Sequence, residues 1–178
     1  MSKPLAGQNI DIAISNYALY EDATEFIGVG DITMPNINNM TAEVRGAGIA
    51  GAITELIMGY LEAMEVGVAF RLFSGNAIRL LEPRDHLIEL RVVQQERDPV
   101  NREYLQRGLK HTMIVFPKTT NPGSVRTAAP GDASGTYGLR YWKMELDGKI
   151  VFEFDPIAFI YIVNGYDYLA ETRRLLGK

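Results

Sequence analysis

A chain of 178 residues and 19.8 kDa, 47% hydrophobic and 22% charged, is long enough for one domain with a buried core. The 22 Asp and Glu against 18 Lys and Arg, a net charge of −4 and the lack of a basic run argue against a protein that clamps nucleic acid through clustered positive charge. Cysteine is absent, which excludes disulfides, thiolate nucleophiles and cysteine metal sites and fits a cytosolic origin.

The opening MSKPLAGQNIDIAIS carries no apolar h-region, so no signal peptide is expected. The apolar stretches further on are too short, or too interrupted by Glu and Gly, to span a bilayer. NIDIAISN alternates Ile10, Ile12 and Ile14 with other residues, which is strand periodicity. After the turn-like YEDATE, FIGVGDITM reads as a second strand ending at Pro35; NINNM is turn-like and TAEVR extended. AMEVGVAFRLF places Met64, Val66, Val68, Phe70 and Leu72 on one face and Glu65, Gly67, Ala69, Arg71 and Phe73 on the other. SGNAIRLLEP predicts a turn or two of helix, with Asn76 as its N-cap and Pro83 as its stop.

HLIELRVVQQE (86–96) and YLQRGLKHTMIVF (104–116) are strand candidates joined by the polar RDPVNRE. Residues 117–136, rich in Pro and Gly and poor in bulky apolar groups, predict a long exposed loop. LRYWKMEL and IVFEFDP flank Asp147-Gly148, a strong hairpin signal. The continuous apolar run IAFIYIV predicts a strand buried on both faces. NGYDYLAETRRLLGK predicts a terminal helix capped by Asp167, with Leu169, Thr172, Arg173 and Leu176 on one face. Arg173 and Arg174 suit its last turn, and Gly177 ends it. Seven to nine strands with one or two short helices predict a single mainly β domain over residues 1–178, an antiparallel β-sandwich or barrel.

Residues 46–51, GAGIAG, form a literal G-x-G-x-x-G. A dinucleotide site needs a buried parallel strand before this motif, a helix after it and an acidic residue at the end of the next strand. The preceding TAEVR carries Glu43 and Arg45, which suit no central parallel strand. AITELIMGYLEAM is open to a helical reading, but AFRLF ends in Ser74-Gly75-Asn76 with no carboxylate for a ribose. A glycine-rich extension is the better reading, and no cofactor is expected.

Other candidates for chemistry are weak. His86 and His111 stand in no metal-binding spacing and read as surface or strand residues. In Gly131-Asp-Ala-Ser134-Gly135 the serine is displaced by one from a nucleophile elbow. Glu153 and Asp155 share a strand face but read as an edge or lumen-facing pair, and Gly148-Lys149 lacks the upstream glycine of a phosphate loop. Tyr141, Trp142 and Phe152 read as cross-strand packing partners. No enzyme activity is expected.

The C-terminal segment from Tyr141 to Lys178 resembles the tail tube proteins of contractile-tailed phages and R-type pyocins. The shared features are an aromatic pair before Lys143, then Asp147-Gly148-Lys149, Glu153-Phe154-Asp155, Val163-Asn164-Gly165, Asp167, Leu169, Arg173 and Gly177. Asn9 to Tyr17, Thr33-Met34-Pro35 and Arg45-Gly46-Ala47-Gly48 resemble the same family nearer the N-terminus. Residues 97–135 follow it only loosely.

The resemblance implies a small β-sandwich with a helix, six copies of which close into a ring, their strands joining a larger barrel. Rings would stack into a hollow tube inside a contractile sheath, and the tube would be driven through a bacterial envelope. The partners implied are further copies of the chain, the sheath protein, and baseplate and tail terminator proteins. DNA would pass through the lumen without specific binding. The location implied is the virion tail or a phage-tail-like particle, after synthesis in the bacterial host cytoplasm, with no membrane anchor.

A glycine-rich arm over 46–62 would then reach a neighbouring subunit. Its interface candidates are Arg45, Gly46, Ala47, Gly48, Ile49, Ile53, Leu56 and Ile57. The family-motif residues with structural roles are Asp147, Gly148, Asp155, Asn164, Gly165, Asp167 and Arg173. The excess of carboxylates, with Glu on faces opposite large apolar residues, predicts a net acidic bore that repels phosphate; Arg71 and Arg91 oppose it. Two other classes compete with this reading: a nucleotide-binding oxidoreductase built on GAGIAG, and a monomeric β-sandwich module that binds carbohydrate or protein.

Titration with NAD and FAD should leave the fluorescence of Trp142 unchanged. Saturable binding at about micromolar ligand would restore the dinucleotide reading.

Overall fold

A computed structural model describes residues 9–28 and 30–178; the leader reading at MSKPLAGQ lies outside the described residues. The elements are β1 (Ile10–Glu21), β2 (Glu25–Ile27), β3 (Ile32–Thr33), β4 (Asn39–Val44), β5 (Ile53–Leu61), β6 (Glu65–Phe70) and α1 (Gly75–Arg79). They continue as β7 (His86–Arg97), β8 (Tyr104–Asn121), β9 (Ala133–Leu146), β10 (Lys149–Asp155), β11 (Ile160–Val163), β12 (Tyr166–Asp167) and α2 (Ala170–Leu176). The fold is mainly β, and every strand pair is antiparallel.

The described residues hold 12 strands, more than the seven to nine expected, because several are two to four residues long and carry no periodicity of their own. FIGVGDITM shows why. It is broken into β2, which pairs with β1, and β3, which pairs with β6. The main sheet runs β12-β11-β10-β9-β8-β7-β1-β2, while β6 pairs with both β3 and β9. The hydrogen-bonded path thus runs from β2 through β1, β7, β8, β9 and β6 to β3, and the chain itself joins β3 back to β2. Backbone bonds at 2.8 Å from Gly30 N–H to Ala69 O and from Ala69 N–H to Asp31 O extend that closure.

Alternation places the core. Val66, Val68 and Phe70 of β6 turn inward, as do Ile88, Leu90 and Val92 of β7, Met113 and Val115 of β8, Trp142 of β9, and Phe152 and Phe154 of β10. Each large apolar side chain buried this way stabilises the fold by roughly 1.5–3 kcal/mol. Leu72 does not join them: it lies beyond the end of β6 and is 71% exposed. Helix α1 adds Ala77 and the following Leu80 to the cluster. Its N-cap is Ser74, whose Oγ accepts the Ala77 N–H at 3.5 Å, rather than Asn76. Asn76 donates instead to the Phe26 carbonyl at 2.8 Å.

The loop expected over 117–136 is shorter, because β8 runs on to Asn121 and β9 begins at Ala133. Thr119, Thr120 and Asn121 pair with Thr136, Gly135 and Ser134 through backbone bonds that need no apolar side chains. IAFIYIV is not one buried strand. Asp155 Oδ1 accepts the N–H groups of Ile157 and Ala158 at 2.9 Å, and Phe159 adopts φ +54°, so the chain turns before a half-buried β11.

Both histidines are strand residues, but neither is at the surface. His86 lies between the buried Glu21, with Nδ1 2.8 Å from Oε1, and the Glu82 carbonyl, 3.1 Å from Nε2. Arg79 and Arg84 flank the same carboxylate. His111 Nδ1 accepts the indole N–H of Trp142 at 3.2 Å. Burial pushes the His111 imidazole from its ordinary value of 6.5 down to about 4.

Between these two values the unfolded chain binds a proton that the folded chain refuses, so stability falls as the medium is acidified from about 6.5 towards about 4, by up to roughly 3 kcal/mol. His111→Gln keeps an acceptor for Trp142 and cannot titrate. Its urea midpoint should fall less than the wild type's between about pH 7 and about pH 4.5; equal losses would remove His111 as the cause.

Candidate functional site

The second, two-stranded sheet is a hairpin of β4 and β5 that projects from the barrel. Val44 pairs with Ile53, Glu43 with Thr54, Ala42 with Glu55 and Thr41 with Leu56. Every residue of β4 is exposed, and so is every residue of β5 from Ile53 to Met58. Alternation sends Val44, Ile53 and Ile57 to one face and Leu56 to the other. Met40, Met58 and Tyr60 add further exposed apolar surface at 42%, 57% and 43%. A two-stranded ribbon that is apolar on both faces is marginal alone in water, so this one needs a surface to cover it.

The arm expected over 46–62 is thus one strand of a hairpin spanning 39–61, and the segment AITELIMGYLEAM is strand rather than helix. Arg45, Gly46, Ala47, Gly48 and Ile49 form its tip. Arg45 donates to Glu43 at 2.8 Å through Nε, and Ile49 N–H reaches Gly46 O at 3.2 Å. Among the described residues nothing lies within 4 Å of where a Cβ would stand on Gly46, Gly48 or Gly51. GAGIAG therefore links strand to strand, without the helix N-terminus that a diphosphate cradle requires. Ile53, Leu56 and Ile57 follow on β5, so the structure gathers all eight interface candidates on one projection.

The motif residues of the last 40 positions assemble elsewhere, in the module β9–β10–β11–β12–α2. Asp147 (φ +48°) and Gly148 (φ +78°) form the two-residue turn between β9 and β10, where positive φ at the second position suits glycine. Asp147 also accepts Arg107 Nε–H at 3.0 Å and Gly108 N–H at 3.2 Å. These bonds tie the turn to β8 and hold its carboxyl below the usual range. Asn164 and Gly165 make the corresponding turn between β11 and β12, with φ +51° and +82°.

Asp167 does not cap α2 as expected, since the N-cap is Leu169, without a side-chain bond. Its Oδ1 accepts Leu169 N–H at 3.0 Å and its Oδ2 accepts Arg173 Nη2 at 2.5 Å. Arg173 Nη1 donates to the Phe159 carbonyl. Asp155 caps the turn before β11 as described. These residues hold turns and a helix in place. Gly177, at φ +70°, ends α2 as expected.

Glu153 and Asp155 do not act as a pair: Glu153 accepts the Tyr141 hydroxyl at 2.8 Å, while Asp155 serves its turn. Trp142 packs edge-on against Phe152 at 5.1 Å between centroids, the cross-strand pairing expected. On the outer face of the barrel sheet, Glu89 meets Arg91 at 2.5 Å and Lys110 at 3.0 Å, and Lys110 and Lys143 each lie 3.5 Å from Glu145. Burial raises the Glu89 pKa, but hydrogen bonds from Lys110 and Arg91 outweigh it and hold the carboxyl below its usual range. Sequence reasoning missed Met40, Met58 and Tyr60 on the arm. For Met58 and Tyr60 the signal available was the apolar run LIMGYL, which shows no polar face.

No curated protein sequence matches the chain. Among solved structures, the fold is similar to a chain of the sheath/tube terminator of an extracellular contractile injection system, PVC, in the extended state. The TM-score is 0.51 at 14% identity, over 75% of this chain and 96% of that one. A chain of the sheath-tube complex of the same system gives a TM-score of 0.50 at 16% identity, over 75% of this chain and 90% of that one. The family model described as phage tail tube protein FII matches residues 11–177, a span that takes in the projecting hairpin, the barrel and the C-terminal module. The chain belongs to the phage tail tube protein FII family.

Proposed function

We propose that this chain is a structural, non-enzymatic subunit of the inner tube of a contractile tail or tail-like particle. Six copies close into a ring, and rings stack into a hollow tube that conducts DNA or punctures a target envelope. The sheath, the baseplate and a terminator are its partners, and the particle is its destination after synthesis in the bacterial cytoplasm. The observation that carries the reading is the projecting hairpin with apolar groups on both faces.

Two features support assembly through such contacts. β1 pairs with β2 only from Leu19 to Glu21, so one edge of residues 10–18 is open among the described residues. Ile10, Ile12 and Ile14 along it are 52%, 47% and 62% exposed. An open apolar edge is a liability that strand addition or burial removes. A head-to-tail contact that closes by rotation gives a ring, and a second contact along the axis gives a tube. The hairpin supplies one such surface and the open edge another.

For cargo, the outer sheet face bears on passage. Its carboxylates Glu89 and Glu145 are matched by Arg91, Lys110 and Lys143. If that face lines the bore, its cations are already engaged and offer phosphate little to bind. The excess of carboxylates that would make the bore acidic then lies on other residues.

Deleting residues 47–58 removes the tip and most of β5 and leaves the barrel strands intact. The variant should keep its far-ultraviolet circular dichroism, elute as a monomer and yield no tubes by sedimentation or negative-stain imaging, whereas the full chain polymerises. Normal tubes from the deletion would overturn the role of the hairpin.

A further inference from the structure

We propose that Leu169, at the N-terminal boundary of α2, is the positioning residue that aims the β4–β5 hairpin, so that the C-terminal module and the hairpin act as one unit. Its importance for assembly rests on the tube reading; the positioning itself does not. The register of the hairpin is interrupted near its base. From Val44–Ile53 to Thr41–Leu56 the strands pair residue for residue, but the next pair is Asn39–Leu61. Met40 alone therefore stands opposite the four residues Ile57 to Tyr60, a wide bulge at which the ribbon must bend.

Gly59 lies inside that bulge with φ +80°, and it is the buried residue of β5. Leu169, only 3% exposed, covers it. A Cβ on Gly59 would stand 2.5 Å from Leu169 Cδ2, 2.7 Å from Cγ and 3.3 Å from Cδ1. The bulge and the leucine are therefore in direct contact, and any other residue at 59 would push them apart. Beyond Gly59, β5 is exposed from Met58 to Ile53 and β4 along its whole length, while at its base the Glu62 N–H to Asn38 O bond holds the two strands together. The direction of the whole ribbon is decided at the bulge.

Leu169 can act as a wedge because it is itself immobilised. Its N–H is held by Asp167, its carbonyl accepts the Arg173 N–H at 2.9 Å, and the Arg173 guanidinium bridges Asp167 and the Phe159 carbonyl. Asp167 and Arg173 thereby gain a second role, since they fix the side chain on which the hairpin rests. Helix α2 also carries Leu175 and Leu176, 69% and 57% exposed, so the contact of Leu169 with Gly59 lies between two apolar surfaces far apart in sequence. A displacement of α2 would re-aim the hairpin.

The test compares Leu169→Ala and Leu169→Met with the full-length wild type by hydrogen exchange below the assembly concentration, and by tube sedimentation above it. In Leu169→Ala, amides of β4 and β5 should exchange about tenfold faster while those of β7 and β8 keep their protection. Tube yield should drop several-fold, and Leu169→Met should restore both. Unchanged hairpin exchange in a folded Leu169→Ala overturns the proposal, even if wild-type tubes form. Faster hairpin exchange with no tubes from any variant, the wild type included, upholds the wedge and defeats the tube reading. Should Leu169→Ala fail to fold, Gly59→Ala displaces the same contact from the other side, and unchanged hairpin exchange there has the same overturning force.

Discussion

Everything in this subunit hangs on the register of β8 against its two neighbours. β7 and β8 pair without a bulge from His86–Val115 to Arg97–Tyr104, and β9 continues the ladder on the other side of β8. Side chains in a sheet alternate faces, so one register puts Ile88, Leu90 and Val92 beside Met113, His111 and Leu109, all inward. A slip by one residue would send every one of them to the outer face and bring Glu89, Arg91 and Lys110 into the core. The ion pairs among those outer groups exist in the same register, so apolar burial inside and charge pairing outside select one alignment together.

Once that ladder is set, closure and projection follow as separate consequences. The short β2 and β3 bridge β1 to β6 and complete the barrel around a core supplied mostly by β6 to β10. Among the described residues the hairpin adds to that core only Leu61, at its base, while Gly59 rests against Leu169 outside it. Its stability as a ribbon is therefore low by construction, and its apolar groups are left for another surface. The chain is thus divided between a barrel that folding buries and a ribbon that folding leaves uncovered.

The C-terminal module shows how polar groups serve the same division. Asp155 and Asp167 satisfy backbone N–H groups at turns that would otherwise be frayed ends, and Asp147 ties its own turn to β8 through the Gly108 N–H. Arg173 then ties the last of these turns to α2. None of these residues needs chemistry beyond hydrogen bonding to account for its position. Their spacing in sequence reflects the geometry of consecutive hairpins.

Much of this was legible in the linear chain. Period-two alternation over 64–70 and 86–96, the Asp147-Gly148 turn and the terminal Gly177 are local signals, and short-range backbone geometry decides such features before any tertiary contact forms. The residues that resemble tail tube proteins were legible for the same reason, being turn and cap positions with fixed local roles. What the chain alone left open depends on partners distant in sequence. The burial of His86 and His111 needs Glu21 and Trp142 beside them. The splitting of FIGVGDITM needs β1 and β6 on opposite sides. The strand character of 53–61 needs β4 opposite, since an apolar run with no polar face fits helix and strand equally. The seat of Leu169 on Gly59 joins positions 110 residues apart, and only the tertiary structure could bring that side chain over a backbone with no Cβ to resist it.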